Sequence, residues 1–317
     1  MKIKFTVAVA LLAASVPALA AQQYKIIDLG LPAGTQSAVA RAISNNGVIV
    51  GEAGGQGANS PYRYDGGIVP LATIPGSTNS VVRGVNDAGV AALTVQTTGS
   101  DDAAALSTTG GVAVLGNVAG YAAGGALDVN NAGVAVGYAL LSGSNGGIEG
   151  NLPLMNNSAG TQRAAIWSGG VGTELAAVSG AVNSIAVANN DAGQVAGMYR
   201  LANNRTQGVL WTGGVGTTLA NPVGQSQARV RALSENGWVA GQTNGTLGFL
   251  ATVWSPTDAY LLPLLGTTAT VVNTTRGINS SAQVVGFTQS FDDNTGDQVA
   301  QNHTLWTFDG AGFTAYD

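Results

Sequence analysis

A nine-residue phrase that recurs six times constrains the fold of this chain more than any other feature. It stands first as Ile43-Ser-Asn-Asn-Gly-Val-Ile-Val-Gly51, and the copies align on the fifth residue of the phrase. The aligned positions are Gly47, Gly89, Gly133, Gly193, Gly237 and Ala282. Their separations are 42, 44, 60, 44 and 45 residues. A recurring period of this length is typical of β-propellers and solenoids.

Each copy of the phrase predicts a tight β-hairpin. Three residues before the aligned position stand Ser44, Asn86, Asn130, Asn190, Ser234 and Asn279. Asn or Ser at the first position of a type I turn, with Gly at the fourth, is a preferred combination, because the side chain bonds the backbone and Gly accepts a positive φ. Apolar residues such as Val85 and Val90 flank the turn. The pattern therefore predicts strand, turn and strand, with a glycine bulge.

The second half of each copy predicts two further strands. An aromatic residue recurs about 17 residues after the turn, or later where the connection is longer, and Leu106 takes its place in the second copy. These aromatic residues are Tyr64, Trp167, Trp211, Trp254 and Trp306. A turn and a short apolar strand follow, as at Ile68–Leu71. Four short strands per copy predict an all-β fold, a β-propeller with six blades of four antiparallel strands. A β-solenoid is the alternative. At equivalent positions the tryptophans are expected to pack between blades rather than to stack on sugars.

The repeats also predict the boundaries of the domain. Six repeats of about 44 residues occupy residues 38–317, and residues 26–34 resemble residues 68–76 at an offset of 42. We therefore predict an N-terminal closing strand at 24–34, because a ring that closes leaves no free sheet edge. The third interval is longer than its neighbours by 60 − 44 = 16 residues, which predicts an inserted loop near 141–160.

The first twenty residues predict export. Lys2 and Lys4 precede an apolar run too short to span a bilayer, and Ala18–Ala20 is a small-residue cleavage pattern. Residues 1–20 are therefore predicted to be a signal peptide and residues 21–317 a single repeat domain. We expect the mature protein to be secreted or periplasmic, with no membrane insertion.

Composition excludes several classes of function. Without the leader the charge is 12 − 2 − 17 = −7, and Lys25 is the one remaining lysine, which argues against nucleic acid as a partner. The chain has no cysteine, so disulfides and thiolate metal sites are excluded. Its single histidine, His303, is predicted to be structural or surface-exposed rather than catalytic.

The motifs resemble one known family of bacterial secreted proteins. Gly277-Ile-Asn279 followed by Gln283-Val-Val-Gly286, together with Asp28-Leu-Gly30 and the recurring Trp, is similar to the extracellular HAF repeat. The resemblance covers nearly all of the mature chain. The His-Ala-Phe run that precedes the Trp in that family is replaced here, for example by Arg163-Ala-Ala165. The resemblance implies an exported repeat protein with no established enzymatic activity.

Four arginines form the strongest candidate binding site. Arg41, Arg83, Arg231 and Arg276 each stand six residues before the turn position, whereas Leu127 and Val187 occupy this place in the third and fourth copies. In a ring, equivalent positions surround one axis, so the guanidiniums are predicted to line an arc that binds an anion or an acidic glycan. In the alternative, each arginine pairs with an acid or with carbonyl groups of a neighbouring blade.

An acidic stretch in the sixth copy is a candidate calcium loop. Asp292, Asn294 and Asp297 offer oxygen ligands around a glycine, which calcium requires, but a distal bidentate Glu is missing. The alternative is a solvated acidic loop. No other cofactor is predicted.

These observations predict an exported, non-enzymatic scaffold that binds a surface glycan or a protein, or that has a structural role. The alternative is a carbohydrate-active propeller enzyme that uses an Asp/Glu pair in a cleft between blades.

Overall fold

The computed structural model of the protein describes most of the chain from residue 27 onward. The described ranges are 27–55, 58–77, 79–96, 102–141, 148–149, 152–153, 160–245, 248–265, 270–291, 295 and 298–316. The predicted signal peptide, residues 1–20, lies outside them. Throughout these ranges the regular structure is β-strand, and no helix there has the length and apolar character needed to cross a membrane.

The strands form six four-stranded antiparallel sheets, which we number as blades in chain order. Blade 1 contains β1 (Ala38–Ile43), β2 (Ile49–Gly55), β3 (Ala58–Tyr64) and β4 (Ile68–Pro70). Blade 2 contains β5 (Asn79–Val85), β6 (Ala91–Gln96), β7 (Asp102–Thr108) and β8 (Gly111–Val114). Blade 3 contains β9 (Ala123–Val129), β10 (Ala135–Leu140), β13 (Gln162–Ser168) and β14 (Val171–Glu174). A separate hairpin, β11 (Ile148–Glu149) and β12 (Leu152–Pro153), lies within the predicted insertion at 141–160.

The remaining blades repeat the same order. Blade 4 contains β15 (Ala181–Asn189), β16 (Val195–Leu201), β17 (Thr206–Thr212) and β18 (Val215–Thr218). Blade 5 contains β19 (Gln225–Leu233), β20 (Val239–Gly245), β21 (Gly248–Trp254) and β22 (Ala259–Leu261). Blade 6 contains β23 (Thr270–Ile278), β24 (Gln283–Phe291), β25 (Gln298–Phe308) and β26 (Phe313–Tyr316). The first strands of successive blades, from blade 1 to blade 6, lie side by side around a common axis. The predicted six-bladed propeller is therefore confirmed, and the solenoid alternative is wrong.

The repeated phrase forms the predicted turn between the first two strands of every blade. In blade 1 the N–H of Gly47 donates to the carbonyl of Ser44 at 3.0 Å, and the N–H of Ser44 donates to Val48 at 2.9 Å. The turn requires a positive φ at its fourth position, which is +80° for Gly47 and +53° for Ala282. The same pair of bonds closes all six turns.

The recurring tryptophans join consecutive blades, as predicted. Trp167, Trp211, Trp254 and Trp306 are buried, and each indole N–H donates at 2.8–2.9 Å to a carbonyl in the connection that leaves the preceding blade. In blade 2 this place belongs to Ser107, not to the predicted Leu106, because Ser107 is the residue that pairs with Ala91. The Ser107 hydroxyl donates to the equivalent carbonyl, Ala72, at 2.5 Å.

The core is distributed over the junctions between blades. Buried apolar clusters join blades 1 and 2, 2 and 3, 3 and 4, 4 and 5, and 5 and 6. A typical junction packs Val50 of blade 1 against Val82 and Leu93 of blade 2. Each blade therefore depends on its neighbours for most of its apolar burial.

The N-terminal region differs from the prediction. Residues 27–34 of the predicted closing strand are not in a strand, and residues 24–26 lie outside the described part of the chain. Blade 6 has its own fourth strand because Phe313–Tyr316 pairs with Leu305–Phe308.

Candidate functional site

A β-bulge recurs in the first strand of every blade. In each case the pairing with the second strand skips one residue. The skipped residues are Arg41, Arg83, Leu127, Val187, Arg231 and Arg276. A bulge leaves its extra residue unpaired in the ladder and redirects the side chain. The backbone irregularity thus falls at all six of the positions that the sequence analysis aligned.

The bulge residues divide the axis of the propeller into two sides. Leu127 and Val187, from blades 3 and 4, are buried in one apolar cluster with Ile185 and Val230. The arginines come from blades 5, 6, 1 and 2, which are consecutive around the ring. We call Arg41, Arg83, Arg231 and Arg276 the arginine arc.

The guanidiniums of the arginine arc lie close enough to act on one another. Burial, together with the nearby charges of Arg276, Arg229 and Arg83, lowers the pKa of Arg231 to about 9. Burial likewise lowers the pKa of Arg83 to about 10, with Arg41 as the next cause. These directions describe positive charges that are partly desolvated and lie near like charges, while Glu52 acts on Arg83 in the opposite direction.

The alternative of local pairing describes Arg41 well. Its Nε donates to Glu52 Oε1 at 2.7 Å, and its Nη2 bonds the same carboxylate. Glu52 is buried, belongs to the same blade, and also accepts the Val82 N–H of blade 2 at 3.4 Å. Arg41 is therefore part of the structure that holds blade 1 against blade 2.

Arg276 and Arg231 have different surroundings. The guanidinium of Arg276 lies over the ring of Phe287, 5.0 Å from its centroid, and the residue is exposed. Arg231 Nη2 lies 3.5 Å from Gln242 Oε1, which accepts the Thr274 hydroxyl of blade 6 at 2.6 Å. Arg276 therefore carries the cationic surface of the arc that is most accessible to a ligand, and Arg231 is half-buried beside it.

A pocket of about 310 Å³ adjoins the arc on blade 1. Its lining residues are Ser37, Ala38, Val39, Arg41, Glu52, Gly54 and Asn59. They lie at the end of the blade opposite the repeated turn, where the loops between second and third strands also lie. Glu52 is the one acid of the lining, and Arg41 holds it, whereas glycoside hydrolysis requires two carboxylates.

The repeated turns form a hydrogen-bond ladder around the other mouth of the axis. The N–H after the first turn residue donates to the corresponding side chain of the next blade, at 2.8–2.9 Å. The donors and acceptors run from Asn45 to Asp87, Asn131, Asp191 and Glu235. The acids make this mouth negative. An anion that approaches the axis through the opposite mouth therefore meets less repulsion.

Hydrogen bonds keep one of these rim acids ionised. Burial raises the pKa of Asp87, but the bonds from Asn131 and Asn45 outweigh it and hold the pKa below the ordinary value. The negative charge at this mouth therefore persists to mildly acidic pH.

Asp128 is a half-buried acid that the sequence analysis missed. It accepts the Asn189 N–H at 3.0 Å, and burial raises the pKa of its carboxyl to about 7. Its carboxylate contacts the backbone of Gly84, where an added Cβ would lie 2.2 Å from Asp128 Oδ1. The signal was available in the sequence, since the other five blades have Ala or Gly at this position.

The remaining candidate residues from the sequence are the predicted calcium ligands and His303. Asp292, Asn294 and Asp297, the predicted calcium ligands, lie outside the described residues. Within the described ranges no group of three or more His, Cys, Asp or Glu side chains is placed to hold a metal ion. His303 is exposed on β25, opposite Phe287.

Comparison with known proteins identifies relatives by structure alone. No protein-family model matches the chain, and no curated protein matches it. A puromycin-hydrolysing peptidase from Mycobacterium tuberculosis is similar with a TM-score of 0.53 and 14% identity. The match covers 89% of this chain and 44% of the peptidase, so the chain spans less than half of that protein.

Two lectins are also similar in structure. The SapL1 lectin, solved with α-methyl fucoside, gives a TM-score of 0.45 at 13% identity, with coverage of 88% and 94% of the two chains. A fucose-recognising fungal lectin from Aleuria aurantia, described as a six-bladed β-propeller, gives 0.42 at 10% identity, with coverage of 88% and 93%. At these identities the likeness concerns the fold.

Proposed function

We propose that this protein is an exported, non-enzymatic binding scaffold whose arginine arc binds an anionic ligand. The observation that carries the proposal is the convergence of Arg83, Arg231 and Arg276 on one side of the axis, where each guanidinium feels the charge of another. Export and the relationship to HAF repeats are part of the proposal and rest on the leader and on the repeated motif.

We propose an acidic glycan, with a carboxylate on its sugar rings, as the class of ligand. The guanidinium fork matches a carboxylate in two parallel hydrogen bonds. Phe287 lies beneath Arg276, with the guanidinium carbon 5.0 Å from the ring centroid, and this contact helps to position the exposed guanidinium. The adjoining pocket of about 310 Å³ lies at the lower end of the usual range for small-ligand sites.

Binding measurements on two single variants test this proposal. Arg231→Gln and Arg276→Gln each remove one positive charge, so we expect affinity for an oligo-uronate to fall by about ten-fold or more. Isothermal titration calorimetry against the oligo-uronate and against a neutral oligosaccharide of equal length measures the change. Arg205→Gln is the matched control, because Arg205 is exposed on a loop of blade 4.

Arg41→Gln is a poor test, because it leaves Glu52 buried without its cation. The proposal is wrong if neither oligosaccharide binds, or if Arg205→Gln weakens oligo-uronate binding as much as the arc variants do. Release of reducing ends from the oligo-uronate would instead support the enzymatic alternative.

A further inference from the structure

The junction between blades 6 and 1 is open, unlike the other five. Val285 of blade 6 is 51% exposed. Its equivalents in the other blades are fully buried against the next blade, and they are Val50, Ala92, Val136, Ala196 and Ala240. The same residue type at the same position is thus core in one blade and surface in another.

Blade 1 exposes the complementary surface. Ala40 is exposed, although its equivalents Val82 and Ala126 are fully buried, and Ile43 is 66% exposed. Of the described residues, none belongs to a buried apolar cluster shared by these two blades. Blades 5 and 6 are joined at their turns by a side-chain N–H of Asn236, which donates to the Ser280 carbonyl at 2.8 Å. Within the described part of the chain no hydrogen bond joins Ser280 to Asn45 in the same way. We call the surface formed by Val285, Ala40 and Ile43 the seam.

The chain just before blade 1 has the structure of a connection between blades. The N–H of Thr35 donates to the Pro32 carbonyl at 3.1 Å, and the φ of Gly34 is +79°. The same turn, with a glycine φ of +78° to +86°, precedes the first strands of blades 2, 3, 4 and 5. Residues 32–35 therefore form a connection even though no complete blade precedes them among the described residues.

Every connection of this kind begins with a leucine that fills the junction. Five leucines directly follow a fourth strand, and each donates its N–H to a third-strand carbonyl at 2.9–3.0 Å. They are Leu71, Leu115, Leu175, Leu219 and Leu262. Leu71, for example, packs with Val50 and Val82 at the junction of blades 1 and 2. After the fourth strand of blade 6 the sequence has Asp317, which is unsuited to an apolar site.

Leu29 occupies the leucine position of the N-terminal connection. It lies three residues before Pro32, just as Leu71 lies three residues before Ile74. The neighbouring Ile27 and Leu31 are exposed apolar side chains. Leu29 itself is half-buried. The segment thus has a leucine at the position that fills the other junctions, and it lies close in sequence to the surface that lacks one.

We propose that Ile27–Leu31 docks in the seam, with Leu29 between Val285 of blade 6 and Ala40 of blade 1. By analogy with Leu71, the Leu29 side chain completes the sixth junction and its N–H pairs with the third strand of blade 6. Residues 32–35 then connect the docked segment to blade 1 and close the ring, and β26 remains the fourth strand of blade 6.

Hydrogen exchange of the mature chain tests this assignment. We expect the amides of β1 and β24 to be protected, and Leu29→Asp to accelerate their exchange by about ten-fold, without affecting β5 and β6. Val223→Asp is the matched control, because Val223 is 99% exposed on the connection before blade 5. We expect it to leave exchange at the seam unchanged.

Two results would overturn the proposal. Rapid exchange of β1 and β24 in the unaltered chain would mean that the seam is not covered. Protection that disappears on dilution, together with a dimer in sedimentation, would assign the seam to a second copy of the chain.

A cross-link keeps the test decisive if Leu29→Asp fails to fold. Because the chain has no cysteine, the pair Leu29→Cys and Val285→Cys reports on one contact only. We expect this pair to form a disulfide on mild oxidation, and Val223→Cys with Val285→Cys to remain reduced. Equal oxidation of the two pairs would contradict docking.

Discussion

The bulge residue decides which chemistry faces the axis. The turn requires its polar residue and its glycine, and the junctions require their apolar residues, but neither requires Arg231. Leu127 and Val187 demonstrate this freedom, because the same bulge forms around aliphatic side chains. Apart from Arg41, whose pairing with Glu52 is structural, the position can therefore vary in chemistry while the bulge still forms, which suits a residue that selects a ligand.

Asp128 predicts an unusual dependence of stability on pH. Its folded-state pKa of about 7 lies above the value of about 3.9 expected in the unfolded chain. Between these values the folded state binds more protons, so the free energy of unfolding decreases as pH rises from about 4 to about 7 and then levels off. We expect Asp128→Asn to remove about 1–2 kcal/mol of this decrease.

Urea unfolding at pH 5 and pH 8 measures the effect. The difference between the two pH values should be smaller for Asp128→Asn than for the unaltered protein, with other titrating groups cancelling in the comparison. Parallel pH profiles for the two proteins would show that Asp128 does not titrate in this range.

At the scale of the element, the hairpin of each repeat depends on one backbone conformation. The sixth hairpin places Ala282 at a φ of +53°, a region that is unfavourable for residues with a Cβ. We expect Ala282→Gly to raise the free energy of unfolding by about 0.5–1 kcal/mol. Thermal and urea unfolding measure the change.

Gly133→Ala is the reciprocal variant. An added Cβ at Gly133 would contact nothing within 4 Å, so its φ of +74° isolates the backbone effect. We expect a loss of about 1–2 kcal/mol. A stabilising Gly133→Ala, or a destabilising Ala282→Gly, would contradict the assigned role of the turn.

The elements that the sequence predicts well are those with local causes. The turn at Ser44–Gly47 follows from two residues three positions apart, and the strands on each side follow from their apolar pattern. Leu106 was placed wrongly because one extra residue in the connection shifts Ser107 into the position paired with Ala91. Spacing in the sequence alone does not reveal which of two adjacent residues will pair with a given residue of the neighbouring strand.

The candidate site was predictable only in part. Arg41, Arg83 and Arg231 each stand six residues before their turn glycine. This common offset predicted that they lie around one axis, because repeats place equivalent residues alike. The pairing of Arg41 with Glu52 joins residues of two different strands, and the bulge that redirects Arg41 leaves no mark in the sequence. Side-chain partners that depend on strand register or on packing become visible only in the structure.

On the scale of the whole molecule, the arginine arc predicts stabilisation by multivalent anions. Sulfate stabilises most proteins, so the informative quantity is the difference between variants. At equal ionic strength, we expect sulfate to raise the Tm above its value in chloride by about 2 °C more in the unaltered protein than in Arg231→Gln. Differential scanning fluorimetry measures this, with Arg205→Gln as the control, and an equal response of all three proteins would contradict it.

The turn ladder gives the ring a direction and two ends. Each blade from 1 to 4 donates a backbone N–H to its successor, and blade 5 donates a side-chain N–H of Asn236 to blade 6. Among the described residues no such bond joins the turns of blades 6 and 1. In a ring with one open junction, every blade packs against a neighbour on both sides except the two blades at that junction. Thermal agitation should therefore fray the propeller from blades 1 and 6 inward, and blades 3 and 4, which carry Leu127 and Val187, should be the last to separate.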